Sequence, residues 1–327
     1  MSIIVDNGDS FGRVRAGKGL FGLGRFFAAQ FGARSSARKL NSTGPEHLTS
    51  PLAMHAHTKL EIFRQVVSQH MAQGRMMQDS PLAGAVLKAG KKKSCFGHAG
   101  VGLASEALDA MRDIAERDGA GLFLISGSLL GPVRDGHLLE HDYDLDFGVF
   151  SDDPRMDRLE QSLRGDPRFE VTKVFNITPE LALYNRYMAG QTDKPLKYTI
   201  LYKGIVTVDI FVHLNFEGVV YHGTDRNIWL NSPFALAPLR SGDKTYLAPD
   251  DSETYLEENY GNWRVPVTDY HCATDTPNSG TVVSYRALFN GIKNYMRFKR
   301  AGDERRAGII HEQIEAMGDS VSNGWKA

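Results

Sequence analysis

Cysteine is nearly absent: two residues in 327, Cys95 and Cys272, cannot build a disulfide framework. Their histidine neighbours, His98 and His271, do not reproduce the ligand spacing of a structural zinc site and read as chance proximity. Long apolar runs are missing too, and without about 18 consecutive apolar residues no transmembrane helix is predicted. The opening "MSIIVDNGDSFGRVR" lacks the charged-then-apolar order of a secretory signal, so a cytoplasmic location is expected. Charge imbalance is lacking, at a net −1, and the central part of the chain has no concentrated basic stripe. That argues against a nucleic-acid polymerase and against a nucleic-acid partner. There is no internal repeat. Hydrophobic residues at 42% and charged residues at 24% are ordinary for a globular protein with a sizeable core.

The near-neutral total conceals an asymmetry. Between residues 10 and 45 the chain carries Arg13, Arg15, Lys18, Arg25, Arg34, Arg38 and Lys39 with no acidic residue. A basic arm of this kind reads as a loosely ordered tail, as a transit-like segment, or as a peripheral contact with the inner face of a membrane. Helical periodicity follows over 53–76, and "KAGKKKSCFGHAG" over 88–100 reads as a linker. The expected division is a basic arm and helical extension over 1–95, a mixed central domain over 96–270, and a basic helical extension over 271–327. Within the central domain "LASEALDAMRDIAERDG" predicts an amphipathic helix ending at Gly119, and "AGLFLISGS" a short buried strand. A helical turn or two over "LLGPVRDG", a strand over "DYDLDFGVF" and a helix after Pro154 come next. Strands over 169–177, 196–204 and 205–214 follow, the last two joined by a hairpin at Lys203-Gly204. Helices over 249–261 and 282–302 complete the reading, the second with Arg286, Lys293, Arg297, Lys299 and Arg300 on a basic face that is either solvated or anion-binding. The fold class is α+β, with a mixed, largely antiparallel central sheet flanked by helices.

One stretch of this domain concentrates negative charge. "EHDYDLDFGVF" places Glu140, Asp142, Asp144 and Asp146 just before apolar residues. On a strand the three aspartates share one face, while Tyr143, Leu145 and Phe147 share the other. Repulsion among such carboxylates is relieved by a hard divalent cation, which takes oxygen ligands. A calcium loop is excluded, because its sixth position needs glycine and its twelfth glutamate, and Phe147 and Asp153 stand there. Upstream, "SGSLLG" puts Ser126, Gly127 and Ser128 between a strand and a helix, where backbone N–H groups can meet an anion. Downstream, "IVTVDIFVHL" sets Val206, Val208, Ile210 and Val212 on one face and Thr207, Asp209, Phe211 and His213 on the other. An ionised Asp209 in mid-strand is costly unless it is paired or binds a cation.

Together, Gly-Ser, Asp-x-Asp and a later strand Asp resemble the polymerase-β-like nucleotidyltransferase fold. More narrowly, Gly127, Ser128, Leu129, Leu130, Gly131, Arg134, Gly136, Asp142, Asp144 and Asp146 match the signature of the LicD and fukutin-related proteins. Tyr255, Leu256, Tyr260, Gly261, Trp263 and Pro266 resemble that family's C-terminal motif. Glu140-His141 departs from the family's Pro-Trp before the first aspartate. The resemblance implies transfer of a phosphorylated alcohol, of phosphocholine or ribitol-phosphate type, from a CDP-linked donor to a glycan hydroxyl in cell-surface polysaccharide modification, with release of CMP. A nucleotidyltransferase that leaves its nucleotide on the acceptor, and a non-catalytic membrane- or polyanion-binding adaptor, are the alternatives. The resemblance makes Asp144, Asp146 and Asp209 the metal-binding and catalytic set around Mg²⁺ or Mn²⁺, with Asp209 as third ligand or as base. Asp142 is a further ligand candidate. Gly127 and Ser128 are expected at the donor phosphates; Arg134 is expected to clamp a phosphate or to form a salt bridge. Tyr255, Tyr260, Gly261, Trp263 and His213 read as packing and cap residues, although Trp229 and Trp263 are also weighed as a cage for choline.

Overall fold

A computed structural model describes residues 2–6, 11–15 and 95–322. Most of the basic arm, the helix expected over 53–76 and Lys91 to Lys93 lie outside these residues. The chain forms two compact units, Met1–Gly90 with Leu288–Lys326, and Lys91–Ala287. In the first, β1 (Ser2–Asp6) and β2 (Phe11–Arg15) pair antiparallel.

The second unit begins with α1 (Phe96–Ala99) and α2 (Val101–Asp118). Ala104, Ala107, Leu108, Met111, Ile114 and Ala115 recur at three- and four-residue spacing and give α2 one buried stripe. Gly119, at φ 72°, ends it in the left-handed conformation that glycine adopts without steric cost. The strand expected next shrinks to β3 (Phe123–Leu124), because α3 (Ser126–Arg134) starts almost at once. Then come β4 (Asp144–Phe150), α4 (Met156–Gly165), β5 (Phe169–Asn176), α5 (Pro179–Tyr184), β6 (Pro195–Tyr202) and β7 (Val206–Phe216). The hairpin between β6 and β7 turns on Lys203 and Gly204, both at positive φ, and the Ile205 N–H closes the turn on the Tyr202 carbonyl at 3.0 Å before Val206 pairs with Tyr202. Four short strands follow, β8 (Val219–Gly223), β9 (Ile228–Asn231), β10 (Leu236–Ser241) and β11 (Lys244–Pro249). Helix α6 (Ser252–Tyr260) is capped by Asp251 and stopped by Gly261, and β12 (Ser279–Gly280) closes the sheet. To the first unit belong all but the start of helix α7 (Tyr285–Ala301) and the whole of α8 (Glu304–Ser322), where Gly291 of α7 lets Ile310 and Ile314 of α8 approach closely.

The sheet has ten strands in the order β10-β11-β3-β4-β7-β8-β9-β12, with β6 and then β5 also attached to β7. Only β4–β7 and β11–β3 are parallel, so the mixed, largely antiparallel α+β architecture is observed. Strand β7 is its axis. It pairs with β4 on one side, and its other side is shared by β6 and, beyond Leu214, by β8. Both faces of β7 are covered, including the one that carries Asp209, because Phe211 and His213 lie under His222, Trp229 and Phe234. Gly148 of β4 makes this layer possible: a Cβ there would lie 2.4 Å from Phe123 and 2.7 Å from His213.

Candidate active site

Parallel pairing of β4 with β7 sets Asp146 opposite Asp209 and Asp144 opposite Thr207. Residues paired in register point to the same side of a sheet. Some sixty residues of chain therefore bring the Asp-x-Asp and the later aspartate into one acidic row. Asp144 and Asp146 are half-buried and Asp209 is 5% exposed. The Asp146 carboxyl is held well above the usual carboxylate range, first by burial and then by the neighbouring charges of Asp144, Asp209 and Asp142.

Part of that charge is answered by a residue the sequence reading passed over. Lys197 of β6 places Nζ 2.5 Å from Asp209 Oδ2, and the hydroxyl of Thr199 donates to Asp209 Oδ1 at 2.7 Å. Thr199 is in register with Asp209, and Lys197 with Phe211. In the sequence these two are only alternate polar positions on a strand whose other face is buried. Pairing order, invisible in one strand, is what makes them part of the site.

The first turn of α3 is bound to the same row. Ser128, 1% exposed, accepts the backbone N–H of Asp146 at 2.9 Å. Gly127 lies directly under Asp142, and a Cβ there would come to 2.0 Å from Asp142 Oδ2. The two residues expected at the donor phosphates thus lie against the aspartates themselves. Ser126, which opens α3, sits at φ 50°, a costly conformation for a residue with a Cβ and one that concentrates at functional turns. Arg134 pairs with Asp135 through Nε and Nη2 at 2.9 and 2.8 Å, and its Nη1 donates to the Trp263 carbonyl at 3.4 Å. It links the end of α3 to the segment after α6.

Helix α6 packs on α3 and brings Tyr255 into the field of Asp146. Burial, and then that carboxylate, push the Tyr255 phenol upward; its hydroxyl is buried without a protein hydrogen-bond partner. Trp263 is 5% exposed, and Gly261 at φ 62° ends the helix, so the packing and capping expectations for this motif hold.

Residues 119–214 match the family model described as LicD/FKTN/FKRP, nucleotidyltransferase domain. This segment is a LicD-family domain. The match spans Gly127, Ser128, Arg134 and all four aspartates of the site, and ends within β7. No curated protein matches the chain significantly. A LicD-family domain implies a phosphotransferase-type activity on glycans. No helix among the described residues is long and apolar enough to cross a membrane.

A divalent cation suits the donor set of the LicD-family domain. Among the described residues no group of three or more carboxylate, imidazole or thiolate side chains is arranged to hold a metal ion. Magnesium does not require one: it is held in phosphoryl-transfer sites by one or two carboxylates together with substrate phosphate oxygens and water. A row of carboxylates, one of them pushed toward its protonated form by burial and then by its neighbours, offers that kind of open site.

Proposed function

We propose that the chain transfers a phosphorylated alcohol from a CDP-linked donor to a glycan hydroxyl, releasing CMP, in the modification of cell-surface polysaccharide. The observation that carries this reading is the in-register pairing of Asp146 with Asp209, with Asp144 beside them on the same face. Asp144 and Asp146 would hold Mg²⁺ or Mn²⁺, with Asp209 completing the acidic row and Asp142 at its margin. When bound, the cation neutralises the diphosphate and favours in-line displacement at phosphorus. Asp209, paired with the Lys197 ammonium and oriented by Thr199, would take the proton of the attacking hydroxyl. Ser128 fixes the backbone of Asp146, so the carboxylates are held by buried elements before substrate arrives. Lys197, paired with Asp209, is suited to pass from it to a phosphate oxygen of the donor.

The test is product analysis. The chain, a divalent cation, a panel of CDP-alcohols and glycan acceptors should release CMP and add the phosphorylated alcohol to the glycan, and Asp144→Asn should reduce turnover by more than about 100-fold with an unchanged circular dichroism spectrum. Full activity in that variant removes the proposal. The family description of a nucleotidyltransferase domain keeps a second reading in view; a glycan heavier by a whole nucleotide would select it.

A further inference from the structure

We infer that the Tyr255 hydroxyl donates a hydrogen bond to the Asp146 carboxylate once a cation is held in the acidic row, which makes Tyr255 a positioning residue for that ligand. The inference rests on the proposed metal-binding role of the row and adds a residue to it.

Asp144, Asp146, Gly148 and Phe150 alternate onto one face of β4, in register with Thr207, Asp209, Phe211 and His213 of β7. Phe123 of β3 pairs with Gly148, and its ring fills the space beside Asp146 into which a side chain at 148 would project. Phe234 lies against Phe123 and Phe150 with ring centroids at 5.6 and 5.4 Å, and the Tyr255 ring meets Phe234 edge-on at 5.4 Å. Tyr255 therefore stands on the face that carries the aspartates, at the buried end of their row. Helix α6 packs on α3, and the Ser128 hydroxyl of α3 takes the Asp146 N–H at 2.9 Å, so one helix fixes both residues.

A phenol suits such a place only if it meets an acceptor. Tyr255 is 3% exposed, and its hydroxyl finds no partner in the protein. A buried hydroxyl without a bond is costly, and phenylalanine would fill the same volume without that cost. After burial, the phenol is acted on most by Asp146 and next by Glu258. Both oxygens of Glu258 are already taken, one by the Ser232 hydroxyl and one by the Asn231 amide. The Asp146 carboxyl oxygens accept no hydrogen bond from the described residues. A carboxylate that holds a cation through one oxygen keeps the other as an acceptor, and ligating carboxylates are oriented by donors of this kind. The structure shows donor and acceptor as neighbours without the bond; loading the row is what makes it.

Manganese titration of the full chain in the presence of CDP tests this, with Tyr255→Phe, Asp146→Ala and the double variant. Tyr255→Phe should bind the ion about ten-fold more weakly than the wild type. In the Asp146→Ala background, which leaves no acceptor, the same change should have no further effect. In divalent-free buffer the melting temperature of Tyr255→Phe should equal or exceed that of the wild type, since the change removes an unpaired buried polar group. Equal manganese affinity in Tyr255→Phe and the wild type overturns the inference while leaving the metal-binding row standing, and so does a loss that adds in full to that of Asp146→Ala. A lower melting temperature for Tyr255→Phe overturns it as well, because the hydroxyl then has a partner inside the fold. Failure of the wild type to take up manganese overturns the proposed function, and this inference with it.

Discussion

Acid should destabilise this fold through a pair of histidines that the chemistry does not use. His213 of β7 is fully buried and His222 of β8 is 3% exposed, with rings stacked at 4.3 Å and 23° between planes. Burial pushes the His213 imidazole down to about 3, and pushes His222 well below its ordinary range with a further contribution from His213. One nitrogen of each ring, Nε2 of His213 and Nδ1 of His222, is buried without a hydrogen-bond partner, so neither has an acceptor ready for a second proton. Both groups have folded values below those of the unfolded chain, so the unfolded chain binds more protons. Their contribution is present above about pH 6.5 and is lost as pH falls below it. For His213 alone the loss at pH 5 is about 2 kcal/mol, growing by about 1.4 kcal/mol for each further pH unit until about pH 3. Urea unfolding at pH 7 and pH 5, for the wild type and for His213→Leu, measures it. The variant should lose about 2 kcal/mol less than the wild type between the two pH values. Identical losses would refute the reasoning, since the variant removes the His213 proton and, with it, the His213 contribution to the lowering of His222.

Three further perturbations address the site. Gly127→Ala puts a methyl group 2.0 Å from Asp142 Oδ2 and should cost about 1–3 kcal/mol by thermal unfolding, with Asp142 displaced from the row. Asp146→Asn should raise the melting temperature in divalent-free buffer at pH 7 while abolishing turnover. The folded carboxyl is shifted upward, so its ionised form is a cost near neutrality that the amide does not bear, and a lower melting temperature would contradict this. Lys197→Met leaves the buried Asp209 with only Thr199 and should cost about 3–5 kcal/mol, part of it recovered by millimolar Mg²⁺. No recovery would argue that the cation does not share the Asp209 site.

Elements with a long period were legible in the chain. The buried stripe of α2, the alternation of β4, the β6–β7 hairpin and the capped α6 all follow from local chemistry, and each lies within a few residues of its expected limits. What was not legible is instructive. Strand β3 was expected to be longer, but Ser126 at positive φ breaks the chain into α3 after two paired residues. Strands β8 to β11 are only four to six residues long, too short for a periodic signal to separate from loop. The apolar and polar faces assigned to β7 were correct in composition, yet the second face is also buried, because covering residues arrive from β8, β9 and Phe234. The aspartates themselves were visible as costly residues on strands. Lys197 and Thr199 were not, since their role depends on β6 lying beside β7 in a register that no local pattern encodes.

Manganese binding followed by electron paramagnetic resonance, with the wild type and Asp146→Asn compared in the presence of CDP, tests the acidic row most directly. The account predicts that the wild type takes up the ion and that the variant binds it about ten-fold or more weakly. Equal uptake by the two proteins would contradict it.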